Sequence, residues 1–141
     1  MVNMIIDGKQ ISAEENITIM EAAERNGIPI PKLCYLKGIN EIAACRVCVV
    51  ELEGKEKLIT SCNNMVKDGM VIYTNSPKVR NNRRNTVQLL LSQHDNRCVV
   101  CPRNGNCQLQ QVACDLNILD IPFRQEPEYQ PWDKDFPLIR N

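Results

Sequence analysis

The chain has 141 residues, 43% of them hydrophobic and 24% charged, which is ordinary globular composition and enough for one core or two small ones. Seventeen Lys and Arg balance seventeen Asp and Glu, so the formal net charge is +0 and no broad basic field suits the chain to nucleic acid. No apolar run of about 18 residues predicts a membrane span, and no basic-then-apolar leader opens the sequence, so the chain is expected to be cytoplasmic.

Residues 2–6 and 9–11 flank Asp7-Gly8, a strong two-residue turn signal, and predict a β-hairpin. A helix should follow, because Thr18 and Glu21 form a capping box, residues 19–25 favour helix, and Gly27 suits the left-handed position that closes it. Pro29 and Pro31 then predict an extended approach to Cys34. A second hairpin, residues 47–53 and 57–61 about Gly54-Lys55, would deliver Cys62 beside the loop that starts at Cys34, and residues 70–74 predict a last short strand. A mixed sheet with a helix packed across it is the simplest arrangement of these parts.

Eight cysteines beside one histidine, in two clusters, predict two metal sites. The first is Cys34-x10-Cys45-x2-Cys48-x13-Cys62. Four thiolates around a short loop of small residues, with backbone N–H groups free to turn inward, favour a [2Fe–2S] cluster. Zinc also takes four thiolates, but typically from two tight pairs, and here the first cysteine stands alone. Disulfides are the weakest alternative in a cytosolic chain.

Ser76-Pro77 is an N-cap and first-turn proline for a helix running towards Gln93. Val79, Val87, Leu90 and Leu91 are expected to share its inward face, with His94 continuing that face one turn on. The basic half of the helix, Lys78, Arg80, Arg83 and Arg84, is expected to be a solvated surface. Directly after it comes His94-x3-Cys98-x2-Cys101-x5-Cys107, whose Pro102, Asn104, Gly105 and Asn106 supply turn residues for a loop around a second cluster. A lone histidine is usually a satisfied core residue, but its place before a cysteine trio makes His94 a ligand candidate. Cys114 is its rival. Residues 108–116 should be helical, with Leu109, Val112, Ala113 and Leu116 as the apolar face. Along such a helix Cys114 lies about 10 Å from Cys107, too far for easy sharing of one cluster, so it is expected to be a small buried hydrophobe.

The motifs Cys34-Tyr35-Leu36, Ala44-Cys45-Arg46-x-Cys48, Cys62 and His94-x3-Cys98-x2-Cys101-x5-Cys107, with Asp120-Ile121-Pro122 and the Pro-Leu-Ile-Arg of 137–140, resemble one family region. It is the N-terminal region shared by NAD(P)-linked and electron-bifurcating [FeFe]-hydrogenase subunits, the complex I large iron–sulfur subunit and related formate dehydrogenases. The resemblance implies an α+β fold in two parts. Residues 1–76 would be a β-grasp [2Fe–2S] ferredoxin-like domain. Residues 77–141 would be a small, mainly helical [4Fe–4S] domain, with one histidine and three cysteines as ligands and an extended C-terminal tail. The resemblance places Cys34, Cys45, Cys48 and Cys62 on one [2Fe–2S] cluster and His94, Cys98, Cys101 and Cys107 on one [4Fe–4S] cluster. Ala43 departs from the glycine common in such relatives. Relatives also continue into a further Cys-x-x-Cys-x-x-Cys region, whereas this sequence ends at Asn141.

With no nucleotide fingerprint such as Gly-x-Gly-x-x-Gly and no acid–base constellation, the chain is expected to relay electrons without turning over a substrate alone. The resemblance implies service in an NAD(P)-linked oxidoreductase complex, with flavoprotein or Fe–S subunits as partners. The alternative is a non-redox interaction module stapled by zinc.

Overall fold

The computed structural model describes residues 1–123; the expected tail and the 137–140 motif lie outside the described residues. Strands β1 (Val2–Ile6) and β2 (Lys9–Ala13) pair antiparallel with Met4 opposite Ile11, and the alternation of the two strands buries Met4, Ile6, Ile11 and Ala13 on one face. Asp7 and Gly8 make the turn with φ of 49° and 80°, a pair of left-handed residues whose twist matches that of the strands. Helix α1 (Ile19–Arg25) lies across the core and buries Ile19, Met20, Ala22 and Ala23. Its capping box is complete. The Thr18 side chain accepts from the Glu21 N–H at 3.2 Å, and the Glu21 carboxylate accepts from the Thr18 N–H at 3.0 Å.

Three further strands, β3 (Val49–Leu52), β4 (Ile59–Thr60) and β5 (Val71–Tyr73), complete a mixed sheet of order β2-β1-β5-β3-β4. Among the described strands only the β1/β5 pair is parallel; β3 runs antiparallel to both β4 and β5. This is the expected α+β, ferredoxin-like arrangement. Two orphan N–H groups of α1 are satisfied from outside the helix. Ile19 donates to the Asn64 carbonyl at 2.9 Å and Met20 to that of Ser61 at 3.0 Å, tying α1 to the segment around Cys62.

Helix α2 (Pro77–Ser92) starts at the Ser76 cap and α3 (Gln108–Asp115) follows a 3-10 turn at Cys98–Val100. Two expectations for α2 need correction. The buried side chains are Val79, Arg83, Val87, Gln88 and Ser92, while Leu90 is exposed, because the stripe facing the sheet runs at intervals of four through 79, 83 and 87. Arg83 is therefore no part of a solvated surface.

The described residues form two hydrophobic clusters. The larger lies between the sheet and α1 and takes in Cys48 and Cys62. The smaller gathers Val87 from α2, Val112 from α3 and Leu116 at the α3 C-cap about Val47, with Leu33 and Cys45 against it. Side chains of the cysteine loop are thus core material for both halves.

Candidate metal centres

Each of the first four cysteines is positioned by a different device. Cys34 sits at the end of the proline-bearing approach, its carbonyl accepting from the Asn40 side chain at 2.7 Å. Cys45 follows Ala43, whose φ of 55° is left-handed, and precedes Arg46, whose φ is 57°. These two reversals coil the loop so that its N–H groups turn inward, and the Cys45 N–H donates to the Cys34 sulfur at 3.4 Å. Cys48 enters β3 and Cys62 leaves β4 at the same end of that strand pair, because Val49 faces Thr60. The sulfurs of Cys48 and Cys62 are 3.3 Å apart. Ser61 fixes their junction by donating its N–H at 3.0 Å and its hydroxyl at 2.8 Å to the Cys48 carbonyl.

The electrostatics of the site show the thiols acting on one another. Burial pushes the Cys62 thiol up to about 12, with the Cys48 hydrogen bond and the charges of Cys48, Cys34 and Cys45 adding to it. Burial also raises Cys34, against the N–H groups of Cys45 and Ala44. At Cys45 burial again acts upward, but N–H groups of Val47, Cys34 and Leu33 and the Cys34 thiol outweigh it, and the thiol lies below its ordinary range. Preformed N–H groups aimed at sulfur are what a thiolate site needs.

Among the described residues no three or more His, Cys, Asp or Glu side chains gather tightly enough around one point for a single metal ion. The first set falls instead into the pairs Cys34/Cys45 and Cys48/Cys62. That donor set fits a two-iron cluster, in which each iron takes two protein ligands.

The second set is not drawn together. His94 is exposed just past the α2 C-cap, its N–H donating to the Leu91 carbonyl at 3.2 Å. The inward orientation expected for it therefore fails: the chain leaves helical geometry at Gln93, so helical spacing no longer sets its direction. Cys98 opens the 3-10 turn and its carbonyl accepts from the Cys101 N–H at 3.1 Å; Cys107 is the N-cap residue of α3. All three of these cysteines are half-buried. Their donor chemistry, soft thiolates in a turn-rich loop with an accessible imidazole before it, suits an iron–sulfur cluster. Cys114 is exposed, not a buried hydrophobe. The apolar face of α3 holds Val112 and Leu116, and Cys114 lies about 200° around the helix from Val112.

Reasoning from sequence missed two supporting residues, Ser61 and Arg83. Arg83 is 4% exposed and donates through Nε to the Val47 carbonyl at 2.8 Å and through Nη2 to those of Val49 at 3.0 Å and Thr74 at 3.3 Å. A signal was present: Arg83 stands midway between Val79 and Val87 at a spacing of four.

Comparison with known proteins agrees with this geometry. Residues 1–77 match the 2Fe-2S iron-sulfur cluster binding domain, and residues 83–122 match the NADH-ubiquinone oxidoreductase-G iron-sulfur binding region. The two segments thus correspond to one [2Fe–2S] and one [4Fe–4S] cluster. The NADP-reducing hydrogenase subunit HndD of Solidesulfovibrio fructosivorans is 47% identical over 128 residues, 87% of this chain and 22% of that protein. The NADPH-Fe(3+) oxidoreductase subunit alpha of Geobacter sulfurreducens is 39% identical over 141 residues, all of this chain and 17% of that protein. The chain therefore spans about a fifth of the length of these relatives. Among solved structures, a chain of an NAD+-reducing [NiFe]-hydrogenase in the H2-reduced state superposes with a TM-score of 0.87 at 26% identity, covering 96% of this chain and 57% of that one. Because the first match takes in more than half of the chain and holds the four thiols that the fold collects, the chain belongs to the family of the 2Fe-2S iron-sulfur cluster binding domain.

Proposed function

We propose that the chain is the electron-relay module of an NAD(P)-linked oxidoreductase complex of hydrogenase, formate dehydrogenase or NADH dehydrogenase type. It passes single electrons between a flavin or Fe–S partner subunit and a distant catalytic site, and catalyses no turnover alone. The observation that carries this is the first thiol set: two cysteine pairs, cradled by inward N–H groups, in a protein whose other site is also thiolate-rich. In this reading Cys34, Cys45, Cys48 and Cys62 hold the [2Fe–2S] cluster, and His94, Cys98, Cys101 and Cys107 hold the [4Fe–4S] cluster. Residues 1–76 and 77–141 are the two cluster domains. The bound clusters supply one-electron chemistry without proton transfer by the protein.

The chain's own residues do the rest. Cys48 and Cys62, 1% and 0% exposed, exclude water from one side of the first site. The loop N–H groups stabilise negative charge on sulfur, and the two aliphatic cores, the larger rich in isoleucine and the smaller in valine, hold the halves. The relatives named above are subunits by their own names, which supports partner subunits here. No described helix is long and apolar enough to cross a membrane. The cytoplasm is the compartment that suits the module, because thiols stay reduced there and remain free to bind metal.

Anaerobic purification with iron and sulfide assays and EPR of the reduced protein tests the proposal. One [2Fe–2S] and one [4Fe–4S] signal per chain are expected, with electron uptake from a reduced flavoprotein and no NAD(P)H oxidation by the chain alone. A colourless protein with stoichiometric zinc after anaerobic reconstitution would establish the zinc-stapled alternative.

A further inference from the structure

We propose that Arg83 is a positioning residue for the first cluster site, a buried cation that locks the backbone on either side of Cys48 and raises the reduction potential of the [2Fe–2S] cluster. The inference rests on the reading that Cys34, Cys45, Cys48 and Cys62 hold that cluster.

The geometry has two parts. The guanidinium spans the carbonyls of Val47 and Val49, the residues before and after Cys48, at 2.8 and 3.0 Å. The carbonyl of Cys48 itself is taken by Ser61. Three consecutive carbonyls, 47, 48 and 49, therefore each have a fixed donor, and the backbone that aims the Cys48 sulfur is held on both sides. The third acceptor, Thr74 at 3.3 Å, ties this turn to the segment that leads into α2. A planar fork makes this possible, and an ammonium has no such fork.

The second part is charge. All three acceptors are neutral carbonyls, and among the described residues no carboxylate pairs with Arg83. Burial pulls the guanidinium down from the ordinary arginine range, with the Cys48 thiol acting in the opposite direction. A guanidinium stays charged even so. Burying one without an anion is costly, whereas a thiolate-ligated cluster is anionic and becomes more so on reduction. A fixed positive charge in a low-dielectric interior behind one ligand thus favours the reduced form over the oxidised one. Exposed Arg80, on the same helix, is screened by water and lacks this leverage.

The test is an EPR-monitored redox titration of the [2Fe–2S] signal in the full chain, comparing wild type with R83Q, R83M, R83K and R80Q. Loss of the charge is expected to move the reduction equilibrium about tenfold towards the oxidised form in R83Q and R83M, equivalent to about 59 mV for one electron. R83K should stay closer to wild type, although all three variants lose thermal stability from the broken fork, and R80Q should titrate like wild type. Equal potentials in wild type, R83Q and R83M would overturn the proposal, as would an R80Q shift as large as theirs. If neither neutral variant loads the cluster, loading of R83K supports the charge requirement, and failure of all three variants overturns it in favour of a purely structural fork. Failure of the underlying ligand reading is distinguishable, because wild type would then lack the [2Fe–2S] signal.

Discussion

The sulfurs of Cys48 and Cys62 stand 3.3 Å apart although the residues are separated by fourteen positions, and the β3/β4 pairing, fastened by Ser61, brings them there. Burial, with the hydrogen bond to the neighbouring Cys48 thiol adding to it, makes Cys62 resist ionisation, which is why its thiol lies so high. In the proposed ligand set, metal–sulfur bonds would have to offset the cost of removing that proton from a thiol that burial keeps neutral.

C62S is therefore expected to abolish the [2Fe–2S] EPR signal and to leave the iron and sulfide of the other site unchanged. Iron and sulfide content together with EPR at two temperatures checks this. Retention of a full [2Fe–2S] signal in C62S would remove Cys62 from the ligand set.

Much of the fold is legible in local chemistry. Asp7-Gly8, the Thr18/Glu21 box, Gly27 and Ser76-Pro77 each act within a few residues, so propensity and structure agree there. The misreadings concern long-range packing. Charge alone groups Arg83 with Lys78, Arg80 and Arg84, but carbonyls from β3 and from Thr74 convert it to an interior residue, a fact that no window of neighbouring residues contains. Helical spacing carried past the helix end misplaces His94, whereas Cys114 is misplaced by its distance from Cys107, because a residue too far to share a cluster is not thereby buried. The first lies past the cap, and the second lies off the stripe formed by Val112 and Leu116. The second core is likewise hidden, because Val47 belongs to the cysteine loop yet packs against α2 and α3.

That shared core gives a second prediction. V47A should lower stability by about 2 kcal/mol, as removal of methyl groups from a fully buried valine leaves a small cavity. Because Val47 touches both halves, loss of either cluster on heating is expected to occur earlier, followed by visible absorbance and by EPR of samples frozen along the melt. A melt in which only the [2Fe–2S] cluster is destabilised would show the halves to be uncoupled.

Glu21 links the α1 cap to the cysteine loop, accepting from the Thr18 N–H and from Lys37. The Lys37 hydrogen bond, with the Thr18 N–H, holds its carboxyl below the ordinary glutamate range. A depressed folded value gives stability that is present above the unfolded value of about 4.3 and is lost as pH falls through the folded value. E21Q should cost about 1 kcal/mol at neutral pH, on the scale of a helix cap, and the gap to wild type should close on acidification below about pH 4. Urea unfolding at a series of pH values measures it. A gap independent of pH would mean that the charge of Glu21 contributes nothing.

Ala43 carries a Cβ at a φ of 55° while 4% exposed, where a glycine would be unstrained. Left-handed geometry costs a non-glycine residue about 1–2 kcal/mol, while its buried methyl contributes about 0.8 kcal/mol in return. A43G is accordingly expected to be neutral or more stable by up to about 1 kcal/mol, with the [2Fe–2S] signal intact. Thermal unfolding of the anaerobic protein decides, and a loss above about 1 kcal/mol would show that the methyl group packs the loop.

The last prediction separates His94 from Cys114 as partner of Cys98, Cys101 and Cys107. A neutral imidazole in place of an anionic thiolate leaves the shell of a [4Fe–4S] cluster one charge less negative, and adding an electron is then easier, as it is where histidines replace cysteines in Rieske centres. H94C should keep the cluster at a lower potential, since the substituted thiolate can still ligate but brings its charge. H94A should lose the cluster or leave it with an open position. Cys114 is exposed on α3, away from the Val112–Leu116 stripe, so C114A should change neither cluster content nor potential. EPR-monitored redox titration of the three variants, with iron content as the control for loading, distinguishes the two assignments. If C114A destroys the [4Fe–4S] signal while H94A preserves it, the fourth ligand is Cys114, and α3 must then turn its exposed face towards the loop that begins at Cys98.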